Sequence, residues 1–337
     1  MFTSTQRARG KRASRPRAII WSATLAVVAA LLVAACGGSG SNTTSKASSA
    51  AGGGTSSSAS GALPGKGKPS LTLGTKNFTE ELIIGELYRQ ELQHEGYTVN
   101  YKPNIGSTEI VDKALTSGQI DAYPEYLGES FSTVFNNQKA VTSAQQEYNV
   151  VKAQYAKRGQ SLSNFTPFQD TDTVALLKSF AKAHGINTIA DLKKLHSFTY
   201  GAQPPALTRY EGVVGLKKVY GLTNLQFKPL SVGLQYSALD SGDVVAADAF
   251  STDPQLESGK YVVLPDPKHL FGFQPVSLVI STKKLQALGG QTFLNVIDKV
   301  NDLLTQNAVI ALNKAVAIDK QTPAAVATSF LKANGML

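Results

Sequence analysis

The sequence predicts an α/β protein of two lobes, preceded by an export signal. From Leu71 the pattern runs strand, helix, strand, helix, strand, which indicates a mainly parallel sheet with helical crossovers. The same alternation begins again at Thr173. The body, Leu71 to Leu337, holds 267 residues, enough for two lobes with separate cores.

Residues 1–35 are typical of a lipoprotein signal peptide. The first 17 residues carry six Lys and Arg and no acid, and an apolar run from Ala18 to Ala35 follows. The run ends in Leu32 to Gly37, which resembles a bacterial lipobox and predicts a lipid on Cys36, the only cysteine. An uncleaved transmembrane anchor is the alternative, since 18 apolar residues can just span a bilayer. Both interpretations place the body outside the cell.

The charge balance of the chain bears on whether it binds nucleic acid. The formal charge of +9 includes the six signal-peptide cations, and the remaining 27 bases face 24 acids, so the rest of the chain is only weakly basic. Nucleic acid is therefore not an expected partner. Residues 36–70 are mostly Gly, Ser, Ala and Thr, and we interpret them as a flexible linker.

Lobe 1 begins with a strand, Leu71 to Gly74, and a helix that Asn77 or Thr79 can cap. Gly96 ends that helix. The next strand, helix and strand are predicted at Tyr97 to Tyr101, Ser107 to Ser117 and Ile120 to Tyr123.

A helical stretch around Gln145 to Arg158 leads to the second set of strands. These strands are predicted at Thr173 to Leu177, Phe198 to Gly201, Leu225 to Leu230, Val244 to Ala249 and Tyr261 to Leu264. Another apolar strand, Pro275 to Ser281, precedes helices that run to the C-terminus. If this last segment rejoins the first sheet, two crossovers link the lobes.

No known catalytic pattern is present. The sequence has no G-x-S-x-G, P-loop or H-E-x-x-H motif, and its four histidines lack metal-ligand spacing. Carboxylate pairs such as Glu80–Glu81 are explained equally well as helix caps and turns. We therefore expect no catalytic residues, no metal and no cofactor.

Five segments match a known family in order and spacing. They are Gly74 to Glu80, Asn104 to Thr108, Gly118 to Tyr126, Thr208 to Gly221 and Asp248 to Asp253. The third, a G-x-I-D-x-Y-P-E-Y string, is the most specific. Together they resemble the substrate-binding proteins of ABC importers for quaternary-ammonium osmolytes, the glycine betaine, choline and carnitine binders.

The resemblance implies a type II periplasmic-binding-protein-like fold that closes on a small-molecule ligand. Lobe 1 would comprise residues 71–172 and 276–337, and lobe 2 residues 173–275, joined by hinge crossovers. Such a protein hands its ligand to an ABC transporter permease and performs no chemistry.

The resemblance also implies a site. A trimethylammonium head makes no hydrogen bonds, so aromatic rings surround it, and cationic side chains hold a ligand carboxylate. The residues implied by motif are the walls Tyr126, Phe250 and Phe273, the cations Arg209 and Lys76, and Asp172, which is either a hinge residue or a ligand contact. Core packing remains an alternative for both phenylalanines, and pairing with Glu211 for Arg209.

Three positions depart from the family pattern. Val174 stands where a tyrosine is usual, Leu127-Gly128-Glu129 replaces Thr-Gly-Thr, and two walls are Phe instead of Tyr. The acid at Glu129 and the aliphatic Val174 favour another cation, such as choline or a larger amine, over glycine betaine.

Three functions stay open at this point. The first is an importer receptor for a quaternary-ammonium solute. The second is the same receptor role for an amino acid or polyamine. The third is a surface lipoprotein enzyme or scaffold on the same fold, because fold does not fix function.

Overall fold

The computed structural model describes residues 62–139 and 141–337. Ten strands are present among them: β1 (Leu71–Lys76), β2 (Val99–Gly106), β3 (Ala122–Tyr126), β4 (Gln160–Leu162), β5 (Asp172–Leu177), β6 (Phe198–Ala202), β7 (Leu225–Pro229), β8 (Ala246–Phe250), β9 (Tyr261–Leu264) and β10 (Val276–Ser281).

Helices connect and cover these strands. The α-helices are α1 (Thr79–His94), α2 (Thr108–Thr116), α3 (Leu127–Glu129), α4 (Ala144–Lys157), α5 (Lys178–His184), α6 (Gly215–Tyr220), α7 (Gln235–Ser241), α8 (Thr282–Leu288), α9 (Gln291–Leu303), α10 (Gln306–Ala317) and α11 (Pro323–Ala333). Short irregular or 3₁₀ turns lie at Ser130–Val134, Ile189–Lys194, Pro204–Leu207, Tyr210–Val214 and Pro254–Ser258.

The strands form two five-stranded sheets, one per lobe, and confirm the predicted two-lobed α/β class. The orders are β2-β1-β3-β10-β4 in lobe 1 and β7-β6-β8-β5-β9 in lobe 2. In each sheet the fourth strand of the order runs against the other four: β10 is antiparallel to β3 and β4, and β5 to β8 and β9. The remaining pairs are parallel.

The reversed strands are the ones that arrive from the other lobe. The segment 163–171 carries the chain from β4 to β5, and 265–275 carries it from β9 to β10. A strand that enters its sheet from the side of the neighbouring lobe must run opposite to strands that end on that side. The two crossovers contact each other, since the Asp170 N–H donates to the Gln274 carbonyl at 3.1 Å.

Both faces of each sheet are buried under helices, so each lobe has two apolar cores. In lobe 1, α1 packs against α9, α10 and α11. The apolar face of α9 points into this core, because its members are all buried: Phe293, Val296, Ile297, Val300 and, just after the helix, Leu304.

The start of α1 differs from the prediction. Its N-cap is Phe78, and no side chain caps the helix, so the cap expected from Asn77 or Thr79 is wrong. The ring of Phe78 packs beside Tyr126 and Phe250 at the boundary between the lobes.

Several sequence predictions fall on residues 1–61, outside the described part of the chain. These are the signal peptide, Cys36 and most of the linker. Residues 62–70, which the sequence assigns to the linker, contact lobe 1 through the Gly65 N–H, which donates to the Glu95 carbonyl at 2.9 Å. None of the helices within residues 62–337 has the length and apolarity needed to cross a membrane.

Candidate functional site

A cleft lies between the lobes, where strands from both sheets end. It encloses about 660 Å³ of empty space, part of it open to solvent. Lys76, Tyr126 and Phe250 end β1, β3 and β8, and Asp172 begins the reversed strand β5. In open α/β sheets, ligands bind at the carboxyl ends of parallel strands, which is where this cleft lies.

Sixteen side chains line the cleft. They are Lys76, Asn77, Phe78, Ser107, Thr108, Tyr126, Glu129, Asp170, Asp172, Gln203, Ala206, Arg209, Glu211, Asp248, Phe250 and Gln274.

Three aromatic rings form one wall. The rings of Phe78 and Phe250 lie nearly parallel, with centroids 6.4 Å apart, and the Phe78 and Tyr126 centroids are 5.8 Å apart. The Tyr126 hydroxyl donates to Glu80 Oε1 at 2.6 Å, which fixes the ring. Ring faces carry partial negative charge and attract cations, so this wall is suited to a cationic group.

Lys76 is buried and held by neighbours on lobe 1. Its ammonium donates to Glu125 Oε1 and to Thr108 Oγ1, the latter at 3.2 Å, and lies 4.5 Å from the Tyr126 ring centroid. Burial acts to lower the pKa of Lys76, but the carboxylates around it, with Glu125 foremost, outweigh burial and raise the pKa. Lys76 therefore stays charged and already has a counterion.

Arg209, which lies on lobe 2, bridges to lobe 1. Its Nε and Nη2 donate to the two carboxylate oxygens of Glu109, both at 2.9 Å, and its Nη1 donates to Glu129 Oε1 at 2.8 Å. Burial acts to raise the pKa of Glu109, but the Arg209 guanidinium lowers it to about 2. The alternative partner considered from sequence, Glu211, is not the one observed.

Three carboxyl groups meet beside this bridge. Single oxygens of Glu129, Asp172 and Glu211 all lie within 4.8 Å of one another. Burial, followed by the charge of Glu129, raises the pKa of Asp172 to about 7 and raises that of Glu211 as well. Carboxylate oxygens can ligate a hard metal ion, but Arg209 already neutralises Glu129, and three side chains fall short of the six to eight oxygens that calcium takes.

Five of the six residues implied by motif line the cleft: Lys76, Tyr126, Asp172, Arg209 and Phe250. Glu129 also lines it, as its departure from the pattern suggests. Phe273 does not, and its backbone N–H donates to Glu147 Oε2 at 3.3 Å. The next residue, Gln274, lines the cleft instead.

Val174 also differs from the expected wall position. It is fully buried in the lobe 2 core on β5 and does not line the cleft. Phe78, Asp248 and Gln274 line the cleft but were not identified from the sequence. Phe78 and Asp248 lie inside two of the segments that match the family, Gly74 to Glu80 and Asp248 to Asp253. Their place in these segments is the sequence signal that could have identified them.

Two lobes around a cleft lined by ion pairs and aromatic rings form the architecture of a solute-binding receptor. The chain belongs to the family described as the substrate-binding domain of the ABC-type glycine betaine transport system, whose model matches residues 69–333. Members of this family are extracytoplasmic receptors that bind small molecules for ABC permeases, and they are not enzymes.

Similar proteins are known in several bacteria. The chain is 29% identical over 280 residues to a glycine-betaine-binding protein of Pseudomonas aeruginosa, covering 80% of this chain and 89% of that one. It is 26% identical to the glycine betaine-binding protein YehZ of Escherichia coli, covering 82% and 94%.

Solved structures share the fold. A crystal structure titled glycine betaine/carnitine/choline ABC transporter superposes with a TM-score of 0.63 at 23% identity, covering 79% of this chain and 99% of that one. An ABC-transporter choline-binding protein in complex with choline gives a TM-score of 0.57 at 15% identity, covering 79% and 89%.

Proposed function

We propose that this protein captures a quaternary-ammonium compatible solute, such as glycine betaine or choline, between its lobes and delivers it to an ABC permease. The observation that carries this proposal is the aromatic wall of Phe78, Tyr126 and Phe250 beside a set of buried carboxylates. A cation without N–H groups is recognised by ring faces and by charge, and both are provided here.

The proposed ligand contacts follow from this cleft. Tyr126 and Phe250 contact the trimethylammonium head, Asp172 contributes negative charge, and Lys76 and Arg209 hold the surrounding carboxylates in place. Phe273 is left out of this set because its neighbour Gln274 takes the position on the cleft. The relatives named for glycine betaine support the class of ligand.

Calorimetric titration of the full-length chain in detergent tests the proposal. A panel of glycine betaine, choline, carnitine, proline and ectoine should give one bound trimethylammonium compound per chain. Tyr126→Ala should weaken its binding about tenfold or more, because the loss of a desolvated ring face costs about 1–2 kcal/mol. Tyr261→Ala, which removes a ring from lobe 2 outside the cleft, should leave binding unchanged. A folded protein that binds nothing in the panel would refute the ligand class.

A primary amine or amino acid is the second candidate ligand. Its support is the carboxyl cluster of Glu129, Asp172 and Glu211, whose oxygens can accept hydrogen bonds from N–H groups that a trimethylammonium head lacks. Tighter binding of spermidine or of an amino acid in the same titration would favour this alternative.

We further propose that a lipid on Cys36 anchors the receptor to the membrane after removal of residues 1–35, with residues 36–70 as the linker. The basic and apolar residues before Cys36 support this proposal. Cys36→Ala should release the protein from the membrane fraction, and mass spectrometry of the wild type should find diacylglycerol on the N-terminal cysteine. Retention of the variant in the membrane would point to an uncleaved anchor instead.

A further inference from the structure

Both cations that line the cleft are already neutralised by the protein itself. Lys76 is paired with Glu125, and the guanidinium of Arg209 is paired with both Glu109 and Glu129. A ligand carboxylate would have to compete with these ion pairs. Glu129 lies on lobe 1 and reaches Arg209 from across the cleft, where an anionic group of a ligand would otherwise bind.

The cleft also has an excess of acid. Five of the sixteen lining residues are acidic and two are basic. Three of the five, Glu129, Asp172 and Glu211, approach one another within 4.8 Å. Burial raises the pKa of Asp170, Asp172, Glu211 and Asp248. A further carboxylate in this set would raise the pKa of these acids more, whereas a bound cation favours and is attracted by their ionised forms.

One carboxylate oxygen in this group lacks a partner. Glu129 is only 9% exposed, and its Oε2 makes no hydrogen bond with any described residue. A buried acceptor without a donor is costly, and a positive group in the cleft would reduce that cost. This observation is independent of the count of acids, and it concerns the same residue that pairs with Arg209.

We infer that Glu129 makes the cleft selective for a ligand of net positive charge, a trimethylammonium alcohol such as choline, over a zwitterion such as glycine betaine. The inference rests on the proposed function and specifies its ligand. Glu129 provides the negative partner for Arg209 that a zwitterion would bring itself, and its Oε2, which has no hydrogen-bond partner among the described residues, favours a cation over a second carboxylate.

Choline and glycine betaine provide a direct test because they share the trimethylammonium head group. Choline carries a hydroxymethyl group where glycine betaine carries a carboxylate. By calorimetry on the full-length chain, the wild type should bind choline about tenfold or more tightly than glycine betaine, as expected for adding a like charge to a desolvated acidic site. Glu129→Gln should weaken choline binding and strengthen glycine betaine binding, because it removes a negative charge and releases Nη1 of Arg209.

Glu91→Gln is the matched control. Glu91 is a buried glutamate of α1 whose Oε2 also lacks a hydrogen-bond partner within residues 62–139 and 141–337, but it does not line the cleft. This variant should keep the wild-type ratio of the two affinities. If Glu129→Gln fails to fold, as judged by circular dichroism, Asp172→Asn should shift the ratio in the same direction.

The outcomes separate the inference from the proposed function. Tighter binding of glycine betaine than of choline by the wild type would overturn the inference and leave the receptor for quaternary ammonium intact. An unchanged ratio in Glu129→Gln would overturn the role of Glu129. Binding of no trimethylammonium compound of the panel by the folded wild type would overturn the proposed function itself.

Discussion

Burial raises the pKa of several carboxyl groups in this protein, and Glu147 is an example outside the cleft. It lies on α4, is 1% exposed, and accepts one hydrogen bond, from the Phe273 N–H at 3.3 Å. Its Oε1 has no partner among the described residues. Burial therefore raises the pKa of Glu147 to about 8.

The free energy of unfolding should therefore depend on pH through the titration of Glu147. The unfolded chain releases the proton of Glu147 near pH 4.5 and the folded chain near pH 8, so the free energy of unfolding falls as pH rises between these values. Glu147→Gln removes this loss. Between pH 5 and pH 8 the variant should gain about 1.4 kcal/mol in free energy of unfolding per pH unit relative to the wild type. Its melting temperature relative to that of the wild type should rise accordingly.

Thermal melts of both proteins at pH 5, 6, 7, 8 and 9 check this expectation. A difference that stays constant across the series would show that Glu147 titrates normally in the folded protein. Glu257→Gln, at an exposed glutamate in the turn Pro254–Ser258, serves as the matched control in the same melts.

At the scale of elements, the ends of strands decide which residues reach the cleft. The sequence predicts the strands β1, β3 and β8 and the crossover into β5. Cleft residues lie where the first three strands end and where β5 begins. The predicted bounds are less accurate: β2 runs to Gly106, past the expected Tyr101, with its register against β1 shifted between Gly74 and Lys76. The single reversed strand in each sheet was not predicted either, because its direction depends on where the chain crosses between the lobes.

The approach to β10 shows how one residue changes the site. The motif match implies Phe273 as a site residue, but Gln274 is the residue that lines the cleft. Both follow Gly272, whose φ is +61°. Gln274 Oε1 accepts from the Glu129 N–H at 3.1 Å, and its Nε2 donates to Glu211 Oε2 at 3.0 Å. Gln274 thereby joins the crossover to acids of both lobes.

At the scale of the whole molecule, polar contacts between the lobes hold the cleft together. Arg209 ties lobe 2 to Glu109 and Glu129 of lobe 1. Near the crossovers, the Thr252 hydroxyl lies 2.6 Å from both Glu80 Oε2 and Asp170 Oδ1. The single hydroxyl hydrogen can be donated to only one of them at a time, and burial raises the pKa of both carboxyl groups.

Arg209→Lys should weaken closure of the lobes. A lysine cannot donate to both oxygens of Glu109 and also to Glu129, because its three donors sit on one nitrogen. We expect ligand affinity to fall about tenfold, which is less than the loss of a whole partner from a desolvated charge pair, because lysine keeps the positive charge. Calorimetry would measure the affinity, and hydrogen exchange should become faster around Glu109 and Glu129.

Arg158→Lys is the matched control for this prediction. Arg158 also contacts both oxygens of a carboxylate, Asp112, at 2.7 and 2.8 Å, but the pair lies within lobe 1. This variant should bind ligand as the wild type does. Equal losses of affinity in the two variants would mean that the bridge between the lobes has no special part in closure.

The sequence by itself determined the α/β class, the two lobes and the order of most elements. Its matched motifs also proposed six site residues, of which five line the cleft. These features depend on short-range periodicity and on motifs read along the chain, and each needs only neighbouring residues. Comparison with the pattern of the family it resembles also identified Glu129 as an unusual acid near the site.

Only the tertiary structure decided which partners the charged residues have. Arg209 meets Glu109 across 100 positions of the chain, and Lys76 meets Glu125 across 49. Such pairs form because two separate sheets bring their strand ends to one cleft, and no local pattern encodes that approach. The structure thus shows the cations of the cleft already neutralised, where the sequence suggested that they hold a ligand carboxylate.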